Sequence, residues 1–221
     1  MAETNLYFAC IDLAGRPVLV VGAGRVGLEK IEGLLACGAT VRVVAPEAEA
    51  AVRRLAAEGL VEWRTRPYEA GDLDGCFLAM VATPHEDVNT RVHDDAEARA
   101  MLINVADVPA LCNFILPAIV RRPPLAVAVS TGGASPALAK RVRDEAAEQF
   151  DTHYARLAAL LEEVRPWAKA TLPDYDARKR FFDGLVNGDP DPLELLRAGD
   201  EQAVHELIAT AKERATAAGV G

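Results

Sequence analysis

The 221-residue sequence lacks the clusters of cysteine and histidine that would indicate a metal centre or a disulfide framework. Its four cysteines are scattered and contain no CxxC pair, so we expect reduced, mostly buried thiols; they are Cys10, Cys37, Cys76 and Cys112. Three of the four histidines fall in helix-like stretches without another histidine or a cysteine three or four residues away. The sequence therefore predicts no permanent metal site.

The sequence also lacks long apolar runs and an excess of basic residues. No apolar run approaches the roughly 20 residues that cross a bilayer, and no basic segment followed by an apolar one opens the chain. The formal net charge is −9, which disfavours binding to a nucleic-acid backbone. Because 51% of the residues are hydrophobic, we expect a globular protein. The missing apolar and basic segments favour a cytoplasmic protein without a membrane partner, and the negative charge argues against a nucleic-acid partner.

Short apolar runs alternate with helix-like segments through the first half of the chain. Strands are predicted at 17–22, 40–45, 60–66, 76–82 and 101–105, and helices at 25–37, 48–59 and 86–100. This alternation is typical of a parallel, doubly wound α/β sheet. We therefore predict a Rossmann-type domain over residues 1–112.

After Asp107 the pattern changes. Two apolar runs, 112–120 and 125–130, are joined by the turn-forming sequence RRPP and predict a β-hairpin outside the parallel sheet. Residues 136–150 are helix-like, and the rest of the chain predicts helices interrupted at LPDY and NGDPDP. We divide this part into a hairpin and helix region for dimerisation, residues 113–150, and a helical domain, residues 151–221.

The sequence VGAGRVG carries a complete G-x-G-x-x-G pattern between a predicted strand and a predicted helix. Gly22 would permit the tight turn, Gly24 would let a pyrophosphate approach the backbone, and Gly27 would let helix and strand pack closely. Arg25 and Val26 complete the turn, whose helix N-terminus would face the phosphates. The alternative is a glycine-rich turn that only packing requires.

The acidic residue that usually ends the second strand is missing, and Pro46 and Glu47 follow instead. Glu47, two places late, is the candidate ligand of a ribose hydroxyl, and Thr83 follows a strand at the same edge of the sheet. Arg42 lies inside its strand, so we expect an exposed or edge-strand side chain rather than a ligand of a 2′-phosphate. These residues favour NAD over NADP.

Three segments together resemble the precorrin-2 dehydrogenase and sirohydrochlorin ferrochelatase family, which includes the N-terminal module of siroheme synthases. They are GRPVLVVGAGRVGLEKIEGLLACGATVRVVAP, LAMVATPHEDVNTRV and INVADVPALCNFILPAIVRRPPLAVAVSTGGASPALAKRVRDE, and ARKRFF extends the likeness loosely into the helical tail. The chain resembles the stand-alone form, because it stops before a methyltransferase module. The resemblance implies NAD-dependent oxidation of precorrin-2 to sirohydrochlorin by a homodimer that pairs through the hairpin region. In some relatives ferrous iron is then inserted at the same site.

The resemblance places Asp107 at the position of the family's acid/base carboxylate. From the residues alone, an aspartate after an apolar run would favour a turn-forming side chain, and the resemblance reverses that preference. Asn104 is a candidate to orient that carboxylate or bind the ligand, or to cap the strand end.

The segment STGGASP fits a substrate with eight carboxylates. Ser135 is a suitable N-cap and Pro136 a suitable first helical residue, so Gly132 and Gly133 would present N–H groups to an anion. Ser130 and Thr131 are candidates for further hydrogen bonds. The alternative is a glycine-rich helix entry without a ligand.

Two other functions fit the glycine turn: a different Rossmann oxidoreductase, and a non-catalytic module that senses NAD. A different Rossmann oxidoreductase has no need for the paired N-V-x-D and S-x-G-G-x-S-P segments. Whether the chain also inserts iron is not decided by the sequence, because a chelatase needs no recognisable metal motif.

Overall fold

The computed structural model describes residues 6–218. The chain consists of two compact units, and the boundary along the sequence lies between Leu116 and Pro117. The first unit contains five strands: β1 (Pro17–Ala23), β2 (Thr40–Ala48), β3 (Val61–Arg64), β4 (Leu78–Val81) and β5 (Leu102–Val105). Its helices are α1 (Arg25–Leu35), α2 (Ala50–Ala57) and α3 (Glu86–Glu97). Short 3-10 helices occupy Ala70–Leu73 and Pro109–Leu111.

The five strands form one parallel sheet in the order β3-β2-β1-β4-β5. Successive side chains of β1 point to opposite faces, so Val18 and Val20 pack beneath α1 and α2 while Leu19 and Val21 pack beneath α3. Both faces are covered, which explains why β1, β4 and β5 are nearly continuous apolar runs. The predicted Rossmann-type sheet is confirmed.

The prediction for Arg42 is wrong. β2 lies between β3 and β1, and the Arg42 side chain is only 22% exposed. Its guanidinium donates to Glu62 at 3.1 Å and to the Asp72 carbonyl at 3.0 Å. Arg42 therefore ties the middle of the sheet to the 3-10 turn around Asp72.

Asp72 is fully buried at this turn and contacts two further arginines. Its carboxylate accepts from Arg64 at 2.6 Å and from Arg66 at 2.7 and 2.8 Å, and from the Glu69 N–H at 2.9 Å. Burial alone would raise the pKa of Asp72, but the hydrogen bonds from Arg66, Glu69 and Arg64 outweigh it and lower the pKa to about 2. The Asp72 carboxylate is therefore ionised in the folded protein at neutral pH.

The second unit begins with the predicted hairpin, β6 (Ala118–Arg122) paired antiparallel with β7 (Leu125–Val129). It continues with α4 (Pro136–Gln149), α5 (Thr152–Thr171), α6 (Tyr175–Val186), α7 (Pro192–Arg197) and α8 (Glu201–Ala218). α4 packs on the hairpin, and α5 to α8 enclose a core of their own. The boundaries at 112/113 and 150/151 stay predictions.

All four cysteines are free thiols, but none is fully buried: Cys10 is exposed and the others are half-buried. Within residues 6–218, no helix combines the length and the apolarity that a membrane span requires.

Candidate active site

Two of the three glycines in the turn between β1 and α1 are required by the backbone itself. Gly22 has φ +98°, and a Cβ there would lie 2.3 Å from the carbonyl oxygen of Ala82, the residue directly after β4. A Cβ on Gly27 would lie 2.2 Å from the Gly22 carbonyl oxygen. These positions hold α1 against the sheet, as the sequence predicts.

Gly24 is different, because nothing in the described chain requires a glycine there. Its backbone is extended, with φ −76° and ψ −171°, and a Cβ would meet nothing within 4 Å. Gly24 is the N-cap of α1, and Arg25, Val26 and Gly27 follow in the first turn, where backbone N–H groups have no partner within the helix. The open side of Gly24 therefore forms a cradle beside the first turn of α1, and the binding of a ligand's phosphates there stays a prediction.

A bulge in β2 brings Glu47 beside this turn. Val21 pairs with Val44 and Ala23 with Ala48, so the single residue Gly22 stands opposite 45–47. Trp63 donates to the Ala45 carbonyl at 3.0 Å and anchors the bulge from β3. Pro46 and Glu47 are exposed within it. In the sequence, Glu47 lies two residues beyond the usual position of the ribose-binding acid. Because the bulge contains extra residues, Glu47 lies opposite Gly22 in the β1–β2 pairing.

Thr83 contacts the glycine turn through its methyl group. A Cβ on Gly22 would lie 3.0 Å from Thr83 Cγ2. The Thr83 hydroxyl donates to buried Asn89 at 2.8 Å and accepts the His85 N–H at 3.2 Å, so it orders the entry to α3. Sequence inspection missed Asn89, whose only signal is a polar residue on the inner face of a helix.

Asp107 lies at the same edge of the sheet, in a turn after β5. Val105 pairs with Val81, and Val81 with Val21, so the three strands end in register. Two strand spacings, about 10 Å, separate the turns that follow β1 and β5. Asp107 is exposed and has φ +61°, a left-handed conformation uncommon for residues other than glycine. Such an outlier at a sheet's carboxyl edge favours a functional role, although aspartate also tolerates this conformation in turns.

The Asp107 turn is supported from below by Cys112. The Cys112 sulfur accepts the Val105 N–H at 3.1 Å and lies 3.2 and 3.4 Å from the carbonyl oxygens of Val105 and Val108. Sequence inspection missed this role, because the thiol is five residues from Asp107 and reaches it only through the fold.

Asn104 is nearly buried, and its amide donates to the Phe114 carbonyl at 3.1 Å. In the described chain it holds the segment after the turn against β5, and no hydrogen bond joins it to Asp107. A role in substrate binding stays a prediction.

The loop before α4 is a capped helix entry with two left-handed glycines, Gly132 at φ +62° and Gly133 at φ +87°. Ser135 accepts the Leu138 N–H at 3.2 Å, which confirms the predicted N-cap. Thr131 accepts the Ser135 N–H at 3.0 Å, and Ser130 accepts the Gly132 N–H at 3.1 Å. The Gly132 N–H is thus engaged within the loop, and the anion-binding role of this segment stays a prediction.

No group of three or more histidine, cysteine, aspartate or glutamate side chains placed to hold a metal occurs between residues 6 and 218.

Comparison with known proteins covers nearly the whole chain. A family model described as putative NAD(P)-binding matches residues 9–118, one described as sirohaem biosynthesis protein central matches 122–148, and one described as sirohaem synthase dimerisation region matches 153–211. The dimerisation description thus falls on the helices α5 to α8, whereas the sequence-based prediction placed dimerisation on residues 113–150.

Curated relatives include siroheme synthases from Azotobacter vinelandii, 42% identical over 198 residues, and from Pseudomonas fluorescens, 40% identical over 190 residues. These matches cover 89% and 86% of this chain but 42% and 41% of the relatives. The chain thus spans less than half the length of these relatives.

Among solved structures, one titled SirC, precorrin-2 dehydrogenase, aligns with a TM-score of 0.75 and 29% identity, covering 93% of this chain and all of that one. The three family models match consecutive parts of this chain, and the chain belongs to the siroheme synthase family.

Proposed function

We propose that this chain oxidises precorrin-2 to sirohydrochlorin with NAD as the hydride acceptor. The observation that carries the proposal is the exposed carboxylate of Asp107, on a left-handed backbone at the carboxyl edge of the sheet, two strands from the open cradle at Gly24. Ligands of open α/β sheets bind at this edge, where the strand order reverses between β1 and β4. The likeness to a precorrin-2 dehydrogenase over the full length of that protein supports the same substrate.

The residues of the first unit fit a dinucleotide. Gly24 and the first-turn N–H groups of α1 would hold the pyrophosphate, and Glu47 would accept from a ribose hydroxyl. When bound, the nicotinamide supplies the acceptor for two electrons and one hydrogen of the macrocycle. Asp107 takes the accompanying proton, so the substrate loses one hydride and one proton in all.

NAD is proposed over NADP for an electrostatic reason. A 2′-phosphate would meet the Glu47 carboxylate in the β2 bulge, whereas Arg42 is already bound to Glu62 and Asp72. We expect the Glu47→Gln variant to narrow the preference for NAD over NADP, because it removes that repulsion. Steady-state kinetics with both cofactors would measure the change.

The substrate's carboxylates are proposed to bind Asn104 and the loop of Ser130, Thr131, Gly132, Gly133 and Ser135. The chain is further proposed to form a homodimer, which the dimerisation region at 153–211 supports.

The test is anaerobic incubation of the chain with precorrin-2 and NAD, followed by absorbance of the macrocycle and of NADH. Equal amounts of sirohydrochlorin and NADH are expected. NAD binding without any change in the macrocycle would instead favour a sensing module, and oxidation of other small substrates would favour a different oxidoreductase. Ferrous iron added afterwards tests whether the chain also inserts the metal.

A further inference from the structure

A basic pocket lies between α5 and α6 in the second unit. It encloses about 420 Å³ and is open on one side. Four cationic side chains and two aromatic rings line it: Arg165, Lys169, Arg178, Lys179, Tyr175 and Phe182. The lining holds one carboxylate, that of Asp183. The pocket is distinct from the Ser130 to Ser135 loop, and its residues include part of the ARKRFF segment, for which the proposed reaction has no use.

The positive charge of this pocket exceeds its negative charge, because four cations face one carboxylate. In the part of the chain that the structure describes, none of the four cations forms a salt bridge. Four other arginines of the same unit do form salt bridges: Arg141, Arg143, Arg156 and Arg197. Arg165 and Lys169 stand one turn apart on α5, where like charges repel. Because the whole chain carries a net charge of −9, this concentration of unpaired cations marks a site for an anion.

The aromatic side chains narrow the class of anion. Tyr175 is 72% exposed, and Phe182 lines the same pocket. Arg178 is held in place, because its guanidinium donates to the Leu172 carbonyl at 3.0 Å across the connection between the two helices. A fixed guanidinium and three further cations beside an exposed ring suit a ligand with a flat body and several peripheral carboxylates.

We propose that this α5–α6 pocket binds the carboxylate-bearing edge of a tetrapyrrole. The inference rests on the proposed function for the identity of the ligand. A phosphate-bearing ligand shares the negative charge, but it would have no use for the exposed ring of Tyr175.

Lysine footprinting of the full chain tests the site directly, with uroporphyrin as a stable octacarboxylate probe. Saturating uroporphyrin should slow the acetylation of Lys169 and Lys179 at least about fivefold, while Lys212, on α8, changes by less than about twofold. The variant Lys169→Gln/Lys179→Gln should bind uroporphyrin at least about tenfold more weakly than wild type, which corresponds to the loss of two charged contacts. The control Arg53→Gln/Arg54→Gln, with the same loss of charge on exposed α2, should bind as wild type does.

Unprotected lysines at 169 and 179, or equal affinities of the pocket variant and the control, would overturn the proposal. Equal protection by inorganic pyrophosphate would overturn the tetrapyrrole and leave a general anion site. The two proposals fail separately. Protection of both lysines in a protein that does not oxidise precorrin-2 would refute the reaction alone, and oxidation without protection would refute the pocket alone.

Discussion

Replacing Asp107 with asparagine separates the chemistry of this side chain from its part in the turn after β5. Asparagine is nearly isosteric and tolerates the left-handed backbone at φ +61°, and the side chain is exposed. The free energy of unfolding should therefore change by less than about 0.5 kcal/mol. Asparagine cannot accept a proton at neutral pH. The loss of a positioned general base should lower kcat by roughly 100- to 10,000-fold, which is about 2.7 to 5.5 kcal/mol of transition-state stabilisation.

The Asp107→Gly variant is the matched control for backbone strain. A left-handed residue costs roughly 1 to 2 kcal/mol, and glycine avoids this cost but loses about 0.5 to 1 kcal/mol through its flexible unfolded state. Its stability should thus equal or slightly exceed that of wild type, with the same loss of turnover. Rates are measured from NADH absorbance with precorrin-2, and stability from urea unfolding. An asparagine variant within about threefold of the wild-type rate, or about 0.7 kcal/mol, would show that Asp107 only closes the turn.

Three further predictions follow from the geometry. Gly24→Val should fold normally and bind NAD at least about tenfold more weakly. Gly22→Ala should instead unfold at a lower urea concentration, because its Cβ would lie 2.3 Å from the Ala82 carbonyl oxygen. If calorimetry found unchanged NAD affinity in folded Gly24→Val, the dinucleotide site would be refuted. Folding lowers the pKa of Asp72 from 3.8 to about 2, so its contribution to the free energy of unfolding is full above pH 3.8 and is lost as the pH falls towards 2. Asp72→Asn should therefore make the free energy of unfolding depend less on pH over that window and should lower it by roughly 2 kcal/mol at neutral pH. An unchanged pH dependence in the variant would contradict this. Sedimentation equilibrium at micromolar concentration should give twice the chain mass, and a monomer there would refute the dimer.

The local pattern of the sequence was sufficient for the elements of the fold. Strand runs buried on both faces, glycine stops and the turn-forming RRPP act over a few residues, so the parallel sheet, the hairpin and the breaks between later helices were all predictable. The roles of Gly22 and Gly27 were predictable for the same reason, since a strand, a tight turn and a helix impose them locally.

Tertiary structure alone decided which side chains from distant parts of the sequence lie close together. The bulge that moves Glu47 level with Gly22 depends on how β2 pairs with β1, and the burial of Arg42 depends on β3 covering its strand. Likewise, the thiol of Cys112 supports the Asp107 turn because the chain returns to β5 after a 3-10 helix. Spacing along the sequence carries no record of such pairings, because register and strand order arise from contacts between segments that are distant in the chain.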